Sequence, residues 1–320
     1  MASEPVRIAL VGAGRMGTVH LDILQRSETI ELTGVVEPHG PRRQQLADDG
    51  LRVFAEPEEL LAAGPPEGVL IAAPSDRHPD VVAAFAAAGL PMLCEKPLGV
   101  TPADARAAAG AAEGRGVLLQ IGYFRRFVPA LKELRERIAA GTLGEISQVA
   151  CLQWDAQLPS EQFRAHSGGI AVDMGVHEFD QVRWLTGQEF DWLSAAAGPS
   201  SEPRAAHDPD SAAMLAGLSG GAVATISLGR RFPMNDSCWV EVWGTEGYER
   251  IPFMWGEMAD AAYREALRLQ AEAFARAVRG APREGAGGAD AVAALLAAEL
   301  AAESLRAGGA RVAHTGTVAT

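Results

Sequence analysis

The chain has 320 residues, 48% of them hydrophobic and 22% charged, which is enough apolar material for real cores and a length that points to two domains. Its 41 acidic against 28 basic residues leave a net charge of −13, which repels phosphate backbones and excludes nucleic acid as a partner. Three widely spaced cysteines, Cys94, Cys151 and Cys238, form no CxxC pair, so neither a metal site nor a disulfide framework is expected, and a reducing, cytoplasmic location fits.

Val6–Val11 is a short apolar run ending in a glycine and reads as a buried parallel strand. It begins too early to follow a signal peptide, and no later run is long and apolar enough to span a membrane. A helix over Gly14–Arg26, a strand at Glu31–Val36, a helix over Pro41–Asp49 and a strand at Leu51–Phe54 follow. Then come an apolar run at Gly68–Ala73, a helix over Pro79–Ala88, a strand at Pro91–Cys94, a helix over Pro102–Glu113 and a strand at Val117–Ile121. Such alternation predicts an α/β domain, a doubly wound parallel Rossmann sheet over residues 1–121. From residue 122 to 320 the texture changes. Helices at Pro129–Ala140 and Ile170–Thr186 are joined by strand-like runs at Glu145–Trp154, Asp191–Ala197, Ala212–Leu218, Ala222–Leu228, Cys238–Trp243 and Tyr248–Phe253. Several alternate apolar with polar residues, and Gly220-Gly221 reads as a hairpin turn, so an α+β domain with an open, mostly antiparallel sheet is expected. Ala259–Val278 and Ala289–Leu305 read as long helices around a Gly- and Pro-containing loop at Gly280–Gly288, and these helices are candidates to pack back on the first domain.

Three segments carry chemistry. Gly12-Ala13-Gly14-Arg15-Met16-Gly17 follows a strand and opens a helix, the context in which glycines allow a tight turn and close approach of backbone to a pyrophosphate at a helix N-terminus. Glu37, 20 residues after Gly17 at the end of the second strand, stands where an acid binds the adenosine ribose hydroxyls. Its charge favours NAD over NADP, although Arg42 and Arg43 lie close enough in sequence to receive a 2′-phosphate. Glu95-Lys96-Pro97 follows the fifth strand, at the sheet edge where ligands bind. Lys96 there either faces nicotinamide and substrate or makes a surface ion pair with Glu95. On the helix from Ile170, the residues Asp173, His177, Asp180 and Trp184 share one face among largely apolar positions. This stripe holds neither Lys nor Glu, which favours a functional role over a solvated face, and Asp173 is placed to orient or charge-tune His177.

Together GAGRMG, IAAPSDRHP, LCEKPLGVT, GYFRRFVPA and SGGIAVDMGVHEFDQVRWLTG resemble the Gfo/Idh/MocA oxidoreductases, the last two segments most closely the inositol 2-dehydrogenase branch. The resemblance runs through the whole chain. It implies Lys96, Asp173 and His177 as catalytic residues, and the glycine motif, Glu37, Pro74, Glu95 and Lys96 as cofactor contacts. It further implies Arg126, Asp155 and Asp180 as contacts to substrate hydroxyls, a cis peptide before Pro97, and dimer or tetramer contacts through the open sheet. The implied reaction is hydride transfer between NAD and a secondary alcohol of a cyclitol or sugar. A ketoreductase of a keto-sugar or aminocyclitol is the neighbouring reading, and a non-catalytic dinucleotide sensor would need only the first domain. Three departures stand out: Ala73 where the family often has threonine, Glu37 for the commoner aspartate, and no tyrosine in Phe232–Asp236. The last leaves cyclitols other than myo-inositol, and sugars, open.

Overall fold

The structure, a computed structural model, describes residues 4–200 and 208–313. It divides into two compact units. The first comprises the chain up to Phe124 together with Arg264–Val292, and the second comprises Arg125–Tyr263 and the chain from Ala293 on.

In the first unit, β1 (Val6–Val11), α1 (Arg15–Arg26), β2 (Ile30–Val36), α2 (Gly40–Asp48), β3 (Val53–Phe54), α3 (Pro57–Ala62), β4 (Gly68–Ile71), α4 (His78–Ala87), β5 (Met92–Cys94), α5 (Pro102–Glu113) and β6 (Leu119–Ile121) alternate. The strands form one parallel sheet in the order β3-β2-β1-β4-β5-β6, the doubly wound order with its reversal between β1 and β4. Burial on both faces explains why β4, and β1 beyond the exposed Arg7, read as apolar runs. Ile8, Leu10, Val35, Leu70 and Leu93 are core residues, joined by Leu21 and Leu24 of α1. The third strand is shorter than its apolar run, and α3 leaves no signal in the sequence, its six residues being too few to show a helical period. At the other end α5 starts from a full capping box, in which Thr101 and Asp104 satisfy each other's backbone N–H.

The second unit is built on α6 (Pro129–Ala139), β7 (Ile146–Asp155), α7 (Glu161–His166), α8 (Val176–Thr186), β8 (Phe190–Ala197), β9 (Ser211–Leu218), β10 (Val223–Arg230), β11 (Ser237–Gly244) and β12 (Tyr248–Met254). Two long helices, α9 (Ala259–Val278) and α10 (Gly288–Arg306), and a short β13 (Val312–Ala313) complete the chain. Its seven strands run β12-β11-β7-β10-β9-β8-β13, antiparallel except where β10 lies parallel to β7. The β9–β10 hairpin closes at Gly221, whose φ of +90° suits glycine. Alternate residues Met214, Ala216, Ala224, Ile226, Val240 and Val242 are buried on one face, while the opposite face carries half-buried Trp154, Trp192, Trp239 and Trp243.

Helix α9 crosses from one unit to the other in sequence. Its later turns place Ala271, Phe274 and Ala275 in the first unit's core, where an aromatic ring of this size contributes about 1.5–3 kcal/mol. Gly68 of β4 leaves room for it, since a Cβ there would come within 3.2 Å of both Phe274 and Val278. Beyond α9 the Gly/Pro loop is held to the sheet, with the Ile121 N–H donating to the Ala286 carbonyl at 2.9 Å.

Candidate active site

The β1–α1 turn is shaped by where a side chain has room. Gly12 has a φ of +88° and its Cβ would lie 2.8 Å from the Ala72 carbonyl; a Cβ on Gly17 would lie 2.1 Å from the Gly12 carbonyl. A Cβ on Gly14, the N-cap of α1, would meet nothing within 4 Å outside its own turn. Two glycines are therefore required by the turn itself, and the third leaves open space in front of a helix N-terminus with no side-chain cap. That is the cradle a pyrophosphate needs, and Arg15, Met16 and Gly17 follow in its first turn. Glu37 sits at the carboxyl end of β2, 7% exposed, where Oε2 accepts from Ala13 N (2.8 Å) and Oε1 from His39 N (2.9 Å). Each oxygen keeps a second lone pair for a ribose hydroxyl. The two arginines beyond it are committed to partners within the chain, Arg42 to Gln45 Oε1 (2.7 Å) and Thr18 Oγ1 (3.1 Å) as well as to the backbone. Arg42 Nε donates to the Ala13 carbonyl at 3.1 Å, and Arg43 Nη1 to those of Glu37 (2.7 Å) and Pro38 (2.9 Å).

Glu95 is buried, and its Oε1 lies 2.6 Å from Nε2 of the fully buried His20 on α1. Burial works to raise the Glu95 carboxyl, but the His20 hydrogen bond and the nearby His20 and Lys96 charges outweigh it and hold the group below its usual value. Glu95 is thus a buried carboxylate braced by His20 rather than the partner in a surface ion pair. Its Oε2 also accepts from the Lys96 N–H at 3.1 Å, and the Lys96–Pro97 peptide is cis, as the resemblance implies. The exposed Pro74 lies in the neighbouring loop after β4. These groups collect at the carboxyl edge of the parallel sheet.

In the second unit the helix carrying the polar stripe does not begin as an α-helix. Ala171–Gly175 is wound as a π-helix, with α8 continuing from Val176. This departs from the uniform helix the sequence predicts; such turns recur at functional sites. Asp173, in that π-turn, is half-buried, and its Oδ2 accepts from Arg230 Nη2 at 3.1 Å. Arg230, at the end of β10 and 3% exposed, also donates through Nη1 to Asp208 Oδ2 at 2.9 Å. Arg164 of α7 donates to the same Asp208 oxygen (2.8 Å) and to Asp210 Oδ1 (3.1 Å). His177 is 6% exposed, one turn beyond Asp173. Asp180 and Arg126 face each other as a buried bidentate pair, Nε–Oδ2 3.0 Å and Nη2–Oδ1 2.6 Å, and Arg126 also lies over the Trp184 ring. Asp155 stands at the carboxyl end of β7, accepting from Gln153 Nε2 at 3.2 Å.

The remaining helix positions are less apolar than the sequence suggests. Glu178, fully buried, pairs with Arg125 at 2.7 Å, and Gln181 Oε1 accepts from the same guanidinium at 3.1 Å. Breaking such a buried pair typically costs about 3–5 kcal/mol, which marks Arg125 as a structural neighbour of Arg126. Cys151 and Cys238 lie in the same cluster, and burial is the main reason the Cys238 thiol is pushed up to about 12. Sequence reading missed Arg230, His20 and His78. The Gly-Arg-Arg-Phe run 229–232 and the histidine closing IAAPSDRHP are visible signals, but nothing in their spacing names their partners.

Both halves of the chain match one family of known proteins. The oxidoreductase family with an NAD-binding Rossmann fold matches residues 6–123, and the GFO/IDH/MocA C-terminal domain matches residues 131–249. The rhizopine catabolism protein MocA of Rhizobium meliloti is 48% identical over 300 residues, 93% of this chain and 95% of that protein. This chain belongs to the Gfo/Idh/MocA oxidoreductase family. The myo-inositol dehydrogenase Hyg17 of Streptomyces leeuwenhoekii is 32% identical over 321 residues, covering 93% of this chain and 97% of that one. Among solved structures, GenD2 from gentamicin A biosynthesis, in complex with NAD, matches with a TM-score of 0.88 at 25% identity, covering 99% of this chain and 98% of that one. The Gfo/Idh/MocA chain is therefore an oxidoreductase with an NAD-binding Rossmann domain, and its glycine turn and Glu37 fit that cofactor. No helix among the described residues is long and apolar enough to cross a membrane.

Proposed function

We propose that this Gfo/Idh/MocA chain is an NAD-dependent dehydrogenase acting on a secondary alcohol of a cyclitol or sugar. The observation that carries this reading is the Asp173–His177 turn held by Arg230, in a chain that aligns with a myo-inositol dehydrogenase over nearly its whole length. His177 acts as general acid/base on the substrate hydroxyl, taking its proton in oxidation and returning it in reduction. The Asp173 carboxylate stabilises the imidazolium that forms. Lys96 donates a hydrogen bond to the reacting oxygen and favours its alkoxide character. Bound NAD supplies the hydride acceptor, carbon 4 of its nicotinamide ring. Arg126, Asp155 and Asp180 recognise the remaining hydroxyls, so a substrate lacking them leaves buried polar groups unpaired and is rejected. Glu37 disfavours NADP because a 2′-phosphate would face its carboxylate, and the commitment of Arg42 and Arg43 to backbone carbonyls supports this.

The second unit carries substrate and oligomer contacts in this reading. The tryptophan-bearing open face of its sheet is the surface we assign to a homodimer or homotetramer, and a monomer by light scattering would remove that assignment. The buried free thiols fit a cytoplasmic enzyme. The match to GenD2 favours a second reading, a ketoreductase of a keto-sugar or aminocyclitol, in which the same residues run in reverse. One screen tests substrate class, direction and cofactor: cyclitols, sugars and simple secondary alcohols with NAD and NADP, followed at 340 nm in both directions, with the two dissociation constants measured beside it. Turnover of polyols with NAD is expected. Efficient turnover of a plain aliphatic alcohol and of no polyol would reject the substrate class, and tighter binding of NADP than NAD would reject the role of Glu37.

A further inference from the structure

Three loops meet the carboxyl edge of the six-stranded sheet: the glycine turn after β1, the Ala72–Ser75 segment after β4, and Glu95–Pro97 after β5. His78, the first residue of α4, lies between the last two. It is 1% exposed, and both ring nitrogens face backbone carbonyls, Nδ1 2.7 Å from Pro97 O and Nε2 2.9 Å from Ala73 O. The Ala72–Ala73 backbone in turn abuts the glycine turn, where a Cβ on Gly12 would come within 2.8 Å of both residues. We propose that His78 is a positioning residue for the nicotinamide half of the dinucleotide, a strut that fixes the spacing between the β4 loop and the Lys96 turn.

The sheet order supplies the reason for assigning it to one half of the cofactor. Strand order reverses between β1 and β4, and a dinucleotide laid across that point places its adenosine half over β1 and β2, beside Glu37. Its other half then lies over β4 and β5, whose loops His78 joins. The last backbone bond between them runs from the Glu95 N–H to the Ile71 carbonyl at 2.8 Å; past it the two segments leave their strands, and the His78 ring spans the gap. On the far side of the turn, His20 braces Glu95 from α1. The strut is neutral at pH 7. Burial is the largest influence and pushes the His78 pKa down; the two carbonyls and the Glu95 charge oppose it, and the Lys96 charge adds to it. A neutral ring has one N–H and donates to one carbonyl at a time.

The geometry of amides separates the two contacts. An asparagine amide nitrogen lies near the position of a histidine Nδ1, and a glutamine amide nitrogen near that of Nε2. His78→Asn therefore keeps a donor toward Pro97, His78→Gln keeps one toward Ala73, and His78→Phe keeps neither. Dissociation constants for NADH and for ADP are measured on the full chain for the wild type and these three variants, with no substrate present. ADP reports the adenosine half; NADH reports both. His78→Phe is expected to weaken NADH about tenfold, the worth of one net hydrogen bond, with ADP affinity held within about twofold. His78→Asn and His78→Gln are expected to lose less NADH affinity than the phenylalanine variant, and where that variant fails to fold, an NADH-selective loss in these two serves instead. Equal losses of ADP and NADH affinity would make His78 a general core residue and overturn the proposal. So would unchanged NADH affinity in every variant that folds. The readout needs no turnover, so a wrong substrate class leaves it intact.

Discussion

The Asp173 carboxylate is held by a side chain from outside its own helix. Arg230 forks between Asp173 and Asp208, while Arg164 holds Asp208 from the other side, so the carboxylate next to His177 is fixed by a guanidinium from β10. If that arrangement serves catalysis, His177→Ala lowers kcat by roughly two to four orders of magnitude with NAD affinity unchanged. Asp173→Asn and Arg230→Met each slow turnover, and the double variant costs little more than the worse single one, because groups acting as a unit are non-additive. Asp208→Asn breaks the other arm of the fork and is expected to cost far less kcat. Steady-state kinetics on these five variants decides the matter. Additive losses for Asp173→Asn and Arg230→Met would mean that the arginine only staples the loop at Asp208.

Among the elements, the β1–α1 turn makes the clearest separation between folding and binding. Gly17→Ala drives a methyl group into the Gly12 carbonyl, so it is expected to lower Tm and NAD affinity together. Gly14→Ala meets no atom within 4 Å, and its φ of −71° suits any residue, so the protein should fold as before. The added methyl group would stand in the space the pyrophosphate occupies, and NAD affinity should fall about tenfold or more. A calorimetric melt and an NAD titration on each variant check both halves of the statement. Full NAD affinity in Gly14→Ala would mean that the phosphates do not approach this residue. The π-wound turn at Ala171–Gly175 sits at the opposite end of predictability. Its residues have the same apolar pattern an α-helix would show, and only the surrounding packing, including the Asp173–Arg230 contact, selects the wider winding.

For the whole molecule, two buried groups contribute to how stability responds to acid. His78 has a pKa below its ordinary 6.5 because burial disfavours the imidazolium. As pH falls through about 6.5 the unfolded chain takes up a proton that the folded one refuses, so stability drops. Glu95 is held below its ordinary 4.5, and its contribution is full above that value and lost as pH falls through the lower, folded value. Both groups therefore act in the same direction, in successive windows. Urea unfolding midpoints are expected to fall between pH 7 and 5.5, and His78→Gln should flatten that first segment. A wild-type midpoint that does not move over this range would contradict the assignment of a neutral, buried His78.

The alternation of short apolar runs with helices determined the parallel sheet by itself, since a strand buried on both faces must be apolar throughout and a right-handed crossover must follow it. The glycine turn was legible for a similar reason: steric exclusion at Gly12 and Gly17 acts over a few residues, within reach of a local pattern. The packing of Phe274 into the first unit, the parallel pairing of β10 with β7, and the forks that tie Arg230 to Asp173 and Arg125 to Glu178 were decided by tertiary structure. Arg230 is separated from Asp173 by 57 residues and His20 from Glu95 by 75, and a side chain's choice of partner over such spans leaves no periodicity in the chain. Burial makes those choices binding, because a charge removed from water must find its counter-charge wherever the fold brings one.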